Sequence, residues 1–295
     1  MNSKSQAINL LANKAIVQNN TKKKSHKNSI VCVGVGTRRA YTACLKLYLE
    51  WCVLNGISSE VQSNKNFIMS YLEEKAEICK QKTVCQNRMA LNMAFHKQLP
   101  FVKSLVNTTL NSRNYSLAEV KLLVKNLHVK NIIAILICYY SGLRAHELAT
   151  LERIHEGTRS NTRNWSSELF TAIEQYQIYI VTGKGGLRRF VAIPIELATI
   201  IEAHRLPEPR KVRDREIYYQ MHYDLGFGKA LSQGFSRASI KHLGWSTGLH
   251  GLRHSYAKNR IRKLIKIGFT FDAAKSIVSQ ELGHFRPSIV NCYMR

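Results

Sequence analysis

Residues 176–194 read YQIYIVTGKGGLRRFVAIP, two runs rich in β-branched and aromatic residues separated by Gly183, Lys184, Gly185 and Gly186. Alternating apolar residues on both sides of a glycine-rich tip specify a β-hairpin. Elsewhere the apolar spacing is helical. From about Thr37 to Asn107, Tyr41, Cys44, Leu45, Tyr48 and Leu49 share one helical face. A break at NGISS follows, then a second helix through Phe67, Ile68, Tyr71 and Leu72, and a third through TVCQNRMALNMAFHKQL. After the hairpin, the chain returns to helical periodicity from His250. Helices, one hairpin, helices is the order of a mainly α protein with a small antiparallel β-sheet.

The chain has 295 residues, enough for one large domain or two ordinary ones. Composition shifts divide it into four stretches. Residues 1–30 are rich in Lys, Asn and Ser, include Lys22, Lys23 and Lys24, and read as a basic, flexible arm. Residues 31–107 read as a small helical domain, and 108–115 as a linker. Residues 116–295 form a second domain that starts cleanly, because Ser116 and Glu119 have the spacing of a helix capping box.

Charge narrows the function. Lys and Arg number 44 and Asp and Glu 19, a formal net charge of +25. Self-repulsion on that scale disfavours a compact chain unless a polyanion neutralises it. Nucleic acid is the expected partner, since each neutralised phosphate releases counterions; a ribosomal or merely basic protein is the alternative. Lys22, Lys23, Lys24, Arg38, Arg39, Arg88, Lys97, Arg188 and Arg189 are the candidate phosphate contacts, with Arg88 and Lys97 expected on the exposed side of the third helix. The seven cysteines form no CxxC pair, as in a reducing compartment. The longest apolar block, IIAILICYY, is far short of the ~20 residues of a membrane span. No secretory signal opens the sequence, so the expected location is cytoplasmic, at the nucleoid.

Six polar residues remain that the elements do not require. Arg144 precedes Glu147 by three positions in SGLRAHELATL, on one face of an expected helix, where a surface ion pair is the ordinary outcome. Lys184 sits at the hairpin tip, where a basic turn is ordinary too. His250 and Arg253 lie three apart in LHGLRHSYA. His284 and Tyr293 lie nine apart in LGHFRPSIVNCY. Together they supply guanidinium, imidazole and ammonium donors around one phenol, with no acidic cluster for a metal. A phenol of reference pKa ~10 is only about 0.1% ionised at neutral pH, so it needs a base or nearby positive charge to act as a nucleophile. Attack on a phosphodiester loads charge onto two non-bridging oxygens, which forked guanidiniums match. A lysine on a mobile turn can protonate the leaving hydroxyl, and histidines can move the nucleophile's proton.

These motifs resemble those of the tyrosine site-specific recombinases, the phage-integrase family. SGLRAHELATL looks like the family's first arginine box, LHGLRHSYA like its His-x-x-Arg box, and LGHFRPSIVNCY like its Leu-Gly-His…Tyr box. The resemblance covers about Ser116 to the end; the helical part before it is similar only in placement and type to a core-binding domain. It implies a two-domain DNA-breaking-rejoining fold and an active site of Arg144, Lys184, His250, Arg253, His284 and Tyr293, with Glu147 in support. Tyr293 would form a 3′-phosphotyrosyl intermediate, with no cofactor, metal or ATP, in a tetramer assembled on duplex DNA, with room for accessory DNA-bending proteins. Integration or excision of a mobile element is the implied role. A chromosome-dimer resolvase, a type IB topoisomerase-like enzyme and a catalytically inactive DNA-binding module are the alternatives. Two stretches depart from compact members of the family: a polar insert, ERIHEGTRSNTRNWSSE, and extra length in IKIGFTFDAAKSIVSQ. Only Met294 and Arg295 follow Tyr293, so subunit contact is expected from another element, such as the arm, or the chain is shortened.

Overall fold

The structure, a computed structural model, describes residues 3–12, 34–107 and 111–294, which group into two compact units dividing between Leu110 and Asn111. Lys22, Lys23 and Lys24 lie outside the described residues.

The first unit holds α1 (Ser3–Ala12), α2 (Val35–Leu54), α3 (Lys65–Ile78) and α4 (Gln81–Phe95). The core is the helical stripe of α2, with Leu45, Tyr48, Leu49 and Cys52, set against Ile68, Tyr71 and Leu72 of α3 and Ala90, Leu91 and Ala94 of α4. The two buried phenols find partners as burial requires: Tyr48 donates to Gln62 O at 2.6 Å and Tyr71 to Asn87 Oδ1 at 3.1 Å. Three expectations are corrected here. Residues 3–12 of the supposed flexible arm are a helix, and Ala7 and Leu11 are buried in this core. Arg88 is half-buried and donates to Leu99 O at 2.9 Å, so it closes the chain after α4 instead of standing on a fully exposed face. Lys97 is exposed but lies beyond α4, which ends where His96 turns left-handed (φ 51°). Arg39 is exposed on α2 and Arg38 half-buried.

The second unit begins earlier than its capping box. Residues 111–115, read as linker, belong to it, because Tyr115 is buried and its amide donates to Ser255 Oγ at 2.8 Å. The capping box at Ser116 and Glu119 opens α5 (Leu117–Val124). The buried α6 (Val129–Ser141) follows. A short strand β1 (Glu152–Arg153) pairs antiparallel with β2 (Tyr176–Thr182), and β2 with β3 (Arg188–Pro194), in the order β1-β2-β3. Then come α7 (Ile195–Ala203), a second antiparallel pair of β4 (Arg205–Asp214) and β5 (Ile217–Tyr223), α8 (Gly228–Leu243), α9 (His250–Lys266), α10 (Phe271–Glu281) and α11 (Pro287–Val290). The sequence pattern misses the β4–β5 pair because β4 reads RLPEPRKVRD, and two prolines with almost no apolar residues argue against a strand. Its register breaks between Arg205 and Arg210, where the prolines fall. IKIGFTFDAAKSIVSQ is no loose insertion. It supplies the turn after α9 and most of α10, whose N-cap Thr270 accepts from the Ala273 amide.

None of the described helices is long and apolar enough to cross a membrane.

Candidate active site

Arg253 holds this site together. It sits on α9, fully buried, and its guanidinium donates to Gly142 O and Leu282 O. Those carbonyls lie two residues before Arg144 and two before His284, so one side chain binds the loops that carry both. The SGLR and LGH glycines make this approach possible. Gly142 ends α6 with φ +64°, and a Cβ there would sit 2.6 Å from a Tyr256 ring carbon and 2.8 Å from Leu282 Cδ2. Gly283 has φ +73°, and its Cβ would press on Arg189 Cδ at 3.1 Å.

Arg144 and Glu147 do not share an α-helical face, contrary to the sequence expectation. Past Gly142 the chain makes a turn, and Glu147 opens a 3₁₀ segment, Glu147–Thr150. The i,i+3 spacing still brings them together, since Glu147 Oε1 accepts from Arg144 Nη1 at 2.7 Å and Oε2 from the Arg144 amide at 2.9 Å. Nor is this a surface pair: Glu147 is fully buried, and its Oε2 also accepts from Arg189 Nη2 at 2.9 Å. Burial alone would raise the Glu147 carboxyl, but Arg189, Arg253, Arg144 and the Arg144 amide outweigh it and hold the group well below the usual carboxylate range.

That arrangement corrects the reading of Arg189 as a phosphate contact. Arg189 on β3 is buried, spent on Glu147 and on Glu281 O at 3.1 Å. Arg188 alternates to the other face of β3, is one-third exposed, and pairs with Glu152.

Tyr293 is buried in the 3₁₀ turn Asn291–Tyr293, with its hydroxyl 3.2 Å from Arg253 Nε and 3.0 Å from His284 Nε2. The Nε2 atom of His284 also lies 3.3 Å from Arg144 Nη2 and 3.2 Å from Arg253 Nη2. Guanidinium N–H groups only donate, so Nε2 is the acceptor and the ring proton sits on Nδ1. Burial first, then Arg253, Arg144 and Arg189, lower the His284 imidazole to about 4, so it is neutral at pH 7. The phenol thus receives a hydrogen bond from Arg253 and donates one to a neutral imidazole. Burial and Arg144 also lower Arg253, to about 10, which leaves it charged at neutral pH.

His250 opens α9 on the same side, its ring centroid 6.1 Å from that of Tyr293. It keeps an exposed face, yet its imidazole is held below the ordinary range by desolvation and then by Arg253, His254, Arg144 and Arg113. Lys184 stands apart. It is exposed at the tip between β2 and β3 and makes no hydrogen bond or ion pair among the described residues. Its neighbour Gly183 faces Glu147, since a Cβ there would lie 3.0 Å from Oε1.

Sequence reasoning missed two contributors. His254 packs edge-on against the Tyr293 ring at 4.7 Å. Its signal was available, because i,i+4 from His250 places it on that face. Glu281 is buried at the end of α10 and accepts from Arg260 Nε and Nη2 at 3.0 and 2.7 Å, from Tyr256 Oη at 2.8 Å and from the Phe170 amide at 3.0 Å. It fixes the end of α10 just before His284; its partners are scattered from 170 to 260, so no local pattern marks it.

The architecture is that of the tyrosine recombinases. The chain is similar to the XerH site-specific recombinase bound to difH substrate in a pre-cleavage complex, with a TM-score of 0.56, 16% identity, and coverage of 89% of this chain and 76% of that one. A post-cleavage XerH complex with a palindromic difH substrate gives 0.54 at 18% identity, covering 88% and 76%. A lambda integrase dimer bound to a COC′ core site gives 0.55 at 14%, covering 89% and 72%. No protein-family model matches the sequence, and neither does any curated protein. At these identities the likeness lies in the fold.

Proposed function

We infer that this chain is a site-specific DNA recombinase that cuts and rejoins duplex DNA through Tyr293. One observation carries the reading. The guanidinium nitrogens of Arg144 and Arg253 and the Tyr293 hydroxyl all converge within 3.3 Å of a single point, His284 Nε2. Donors converging beside a nucleophile are what a backbone phosphate requires, since its non-bridging oxygens gain charge as attack proceeds. The XerH and lambda integrase structures of this fold hold DNA, and duplex DNA is the partner proposed here.

Each residue then has a step. Tyr293 Oη attacks the phosphorus and gives its proton to His284 Nε2. The P–O5′ bond breaks, and Lys184, swung in on its glycine-flanked turn, protonates the departing 5′-oxygen to give the free 5′-hydroxyl. Arg144 binds one non-bridging oxygen, and Arg253 offers the Nε–H that the Tyr293 hydroxyl leaves as it attacks; removing one such donor ordinarily costs about 10²–10³ in rate. Glu147 aligns Arg144 through two hydrogen bonds, and His250 donates to the phosphate from the open side. The 3′-phosphotyrosyl bond conserves the energy of the broken diester, so the reverse attack by a partner strand's 5′-hydroxyl needs no ATP. Exchange of strands calls for subunits gathered on DNA as a tetramer, and integration or excision of a mobile element is the role that suits such an enzyme.

A suicide duplex carrying the native target tests this. Wild-type protein should form a covalent adduct that Tyr293→Phe abolishes without loss of binding, and the products should join two different duplexes. Products relaxed but never joined would indicate a topoisomerase-like enzyme. Binding without any adduct would indicate a DNA-binding module.

A further inference from the structure

The polar insert between β1 and β2 is a strap beside the site. Ser160 N donates to Arg188 O at 3.0 Å and Ser160 Oγ accepts from Arg188 N at 2.9 Å, which ties the strap to the first residue of β3, four beyond Lys184. At its other end Ser166 N donates to Gln280 Oε1 at 2.7 Å and Phe170 N to Glu281 Oε1, just upstream of His284. Trp165 donates to Ser160 O at 2.8 Å and packs edge-on against Phe285 at 4.6 Å. Phe285 is the residue after His284 and is held at φ +54°, in the left-handed region that favours glycine.

The strap's two arginines differ from the six carboxylate-paired arginines around them. Arg144, Arg153, Arg188, Arg189, Arg205 and Arg260 of this unit each pair with a carboxylate within 3.0 Å. Arg159 and Arg163 make no ion pair with any described carboxylate. They lie on aromatic faces instead: Arg159 is 5.0 Å from the Trp165 ring and 4.8 Å from Phe190, and Arg163 is 5.5 Å from Phe285. Stacking on a ring positions a guanidinium while leaving its charge unneutralised and its N–H edge open. Two such cations, next to a hairpin whose tip carries Lys184 and a loop that holds His284, are prepared for further phosphates of the same backbone.

We propose that residues 157–168 form a DNA-contacting strap, in which Arg159 and Arg163 grip the phosphates that flank the cleaved one. This rests on reading the Arg144–Tyr293 cluster as the cleaving site.

The test compares wild type with Arg159→Gln/Arg163→Gln on the target duplex, measuring affinity across salt. Each lost phosphate contact lowers the slope of log K on log salt by about 0.9, so the double variant should be shallower by about 1.8. Between 50 and 200 mM salt, wild type should then lose roughly 12-fold more affinity than the variant. Phosphate-ethylation interference on unaltered wild type provides a mutation-free check, with blocked binding expected at phosphates adjoining the cleaved position. An unchanged slope, or interference confined to distant phosphates, overturns the strap and leaves adduct formation by wild type intact. A wild type that shows the strap-dependent slope yet never forms a Tyr293 adduct overturns the cleavage reading and leaves the strap standing as a binding surface.

Discussion

Replacing Glu147 by glutamine alters a single atom and removes the one negative charge among three guanidiniums. The carboxylate accepts three hydrogen bonds, one at Oε1 from Arg144 Nη1 and two at Oε2 from the Arg144 amide and Arg189 Nη2. A glutamine can put its oxygen at only one of those positions. With oxygen at the Oε2 position, two bonds survive, but the amide NH₂ then faces Arg144 Nη1, donor against donor. Both orientations leave Arg189 uncompensated at 1% exposure, with its Nη1 already lacking a hydrogen-bond partner. Removing one member of a buried ion pair costs about 3–5 kcal/mol, a large fraction of the ~5–15 kcal/mol that keeps a typical protein folded. Urea denaturation at pH 7 should report that loss for the second unit. Glu147→Gln/Arg189→Met should recover much of it, because an apolar residue in place of the stranded charge needs no partner. A loss below about 1 kcal/mol, or a double variant no better than the single, would refute the view that Glu147 balances this cluster.

Shortening Leu11 to Ala should cost the first unit about 2–5 kcal/mol, read as lost amide-exchange protection in α2 to α4, because Leu11 is only 1% exposed in their core. Unchanged protection would mean that α1 is a detached arm after all. The pH dependence of stability should carry a signature of His284. Its folded value of about 4 lies below the ordinary ~6.5, so the unfolded chain takes up the proton first as pH falls. This contribution is complete above about pH 6.5 and is lost toward pH 4. It amounts to about 1–2 kcal/mol once solvent screening at the open side of the ring is allowed for. His284→Gln should flatten that part of the pH profile, and an equal slope in wild type and variant would disprove the assignment.

Periodicity and punctuation carried the local structure. Apolar stripes located α2, α3 and α6, the Ser116–Glu119 spacing located the start of α5, and the glycine-rich tip located β2–β3, since each depends on neighbours a few residues apart. The motif spacings likewise brought Arg144, Arg253, His284 and Tyr293 to attention together. Beyond that reach, chain order says little. Lys22 to Lys24, Arg88 and Arg189 are alike as cations in a list of residues. Folding buries Arg189 against Glu147, turns Arg88 onto the Leu99 carbonyl and leaves Lys97 exposed. The β4–β5 pair, with its prolines, is held by what packs beneath it, Met221 and Tyr223 in the main core. Whether a charged side chain meets solvent, a carboxylate or an aromatic ring depends on how the chain closes on itself, over 11 residues for Arg88 and Leu99, 42 for Glu147 and Arg189, and 111 for Gly142 and Arg253. Hydrophobic burial drives that closure without regard to the charges it carries along, and so the tertiary structure alone separated the guanidiniums that build this site from those left open to a ligand.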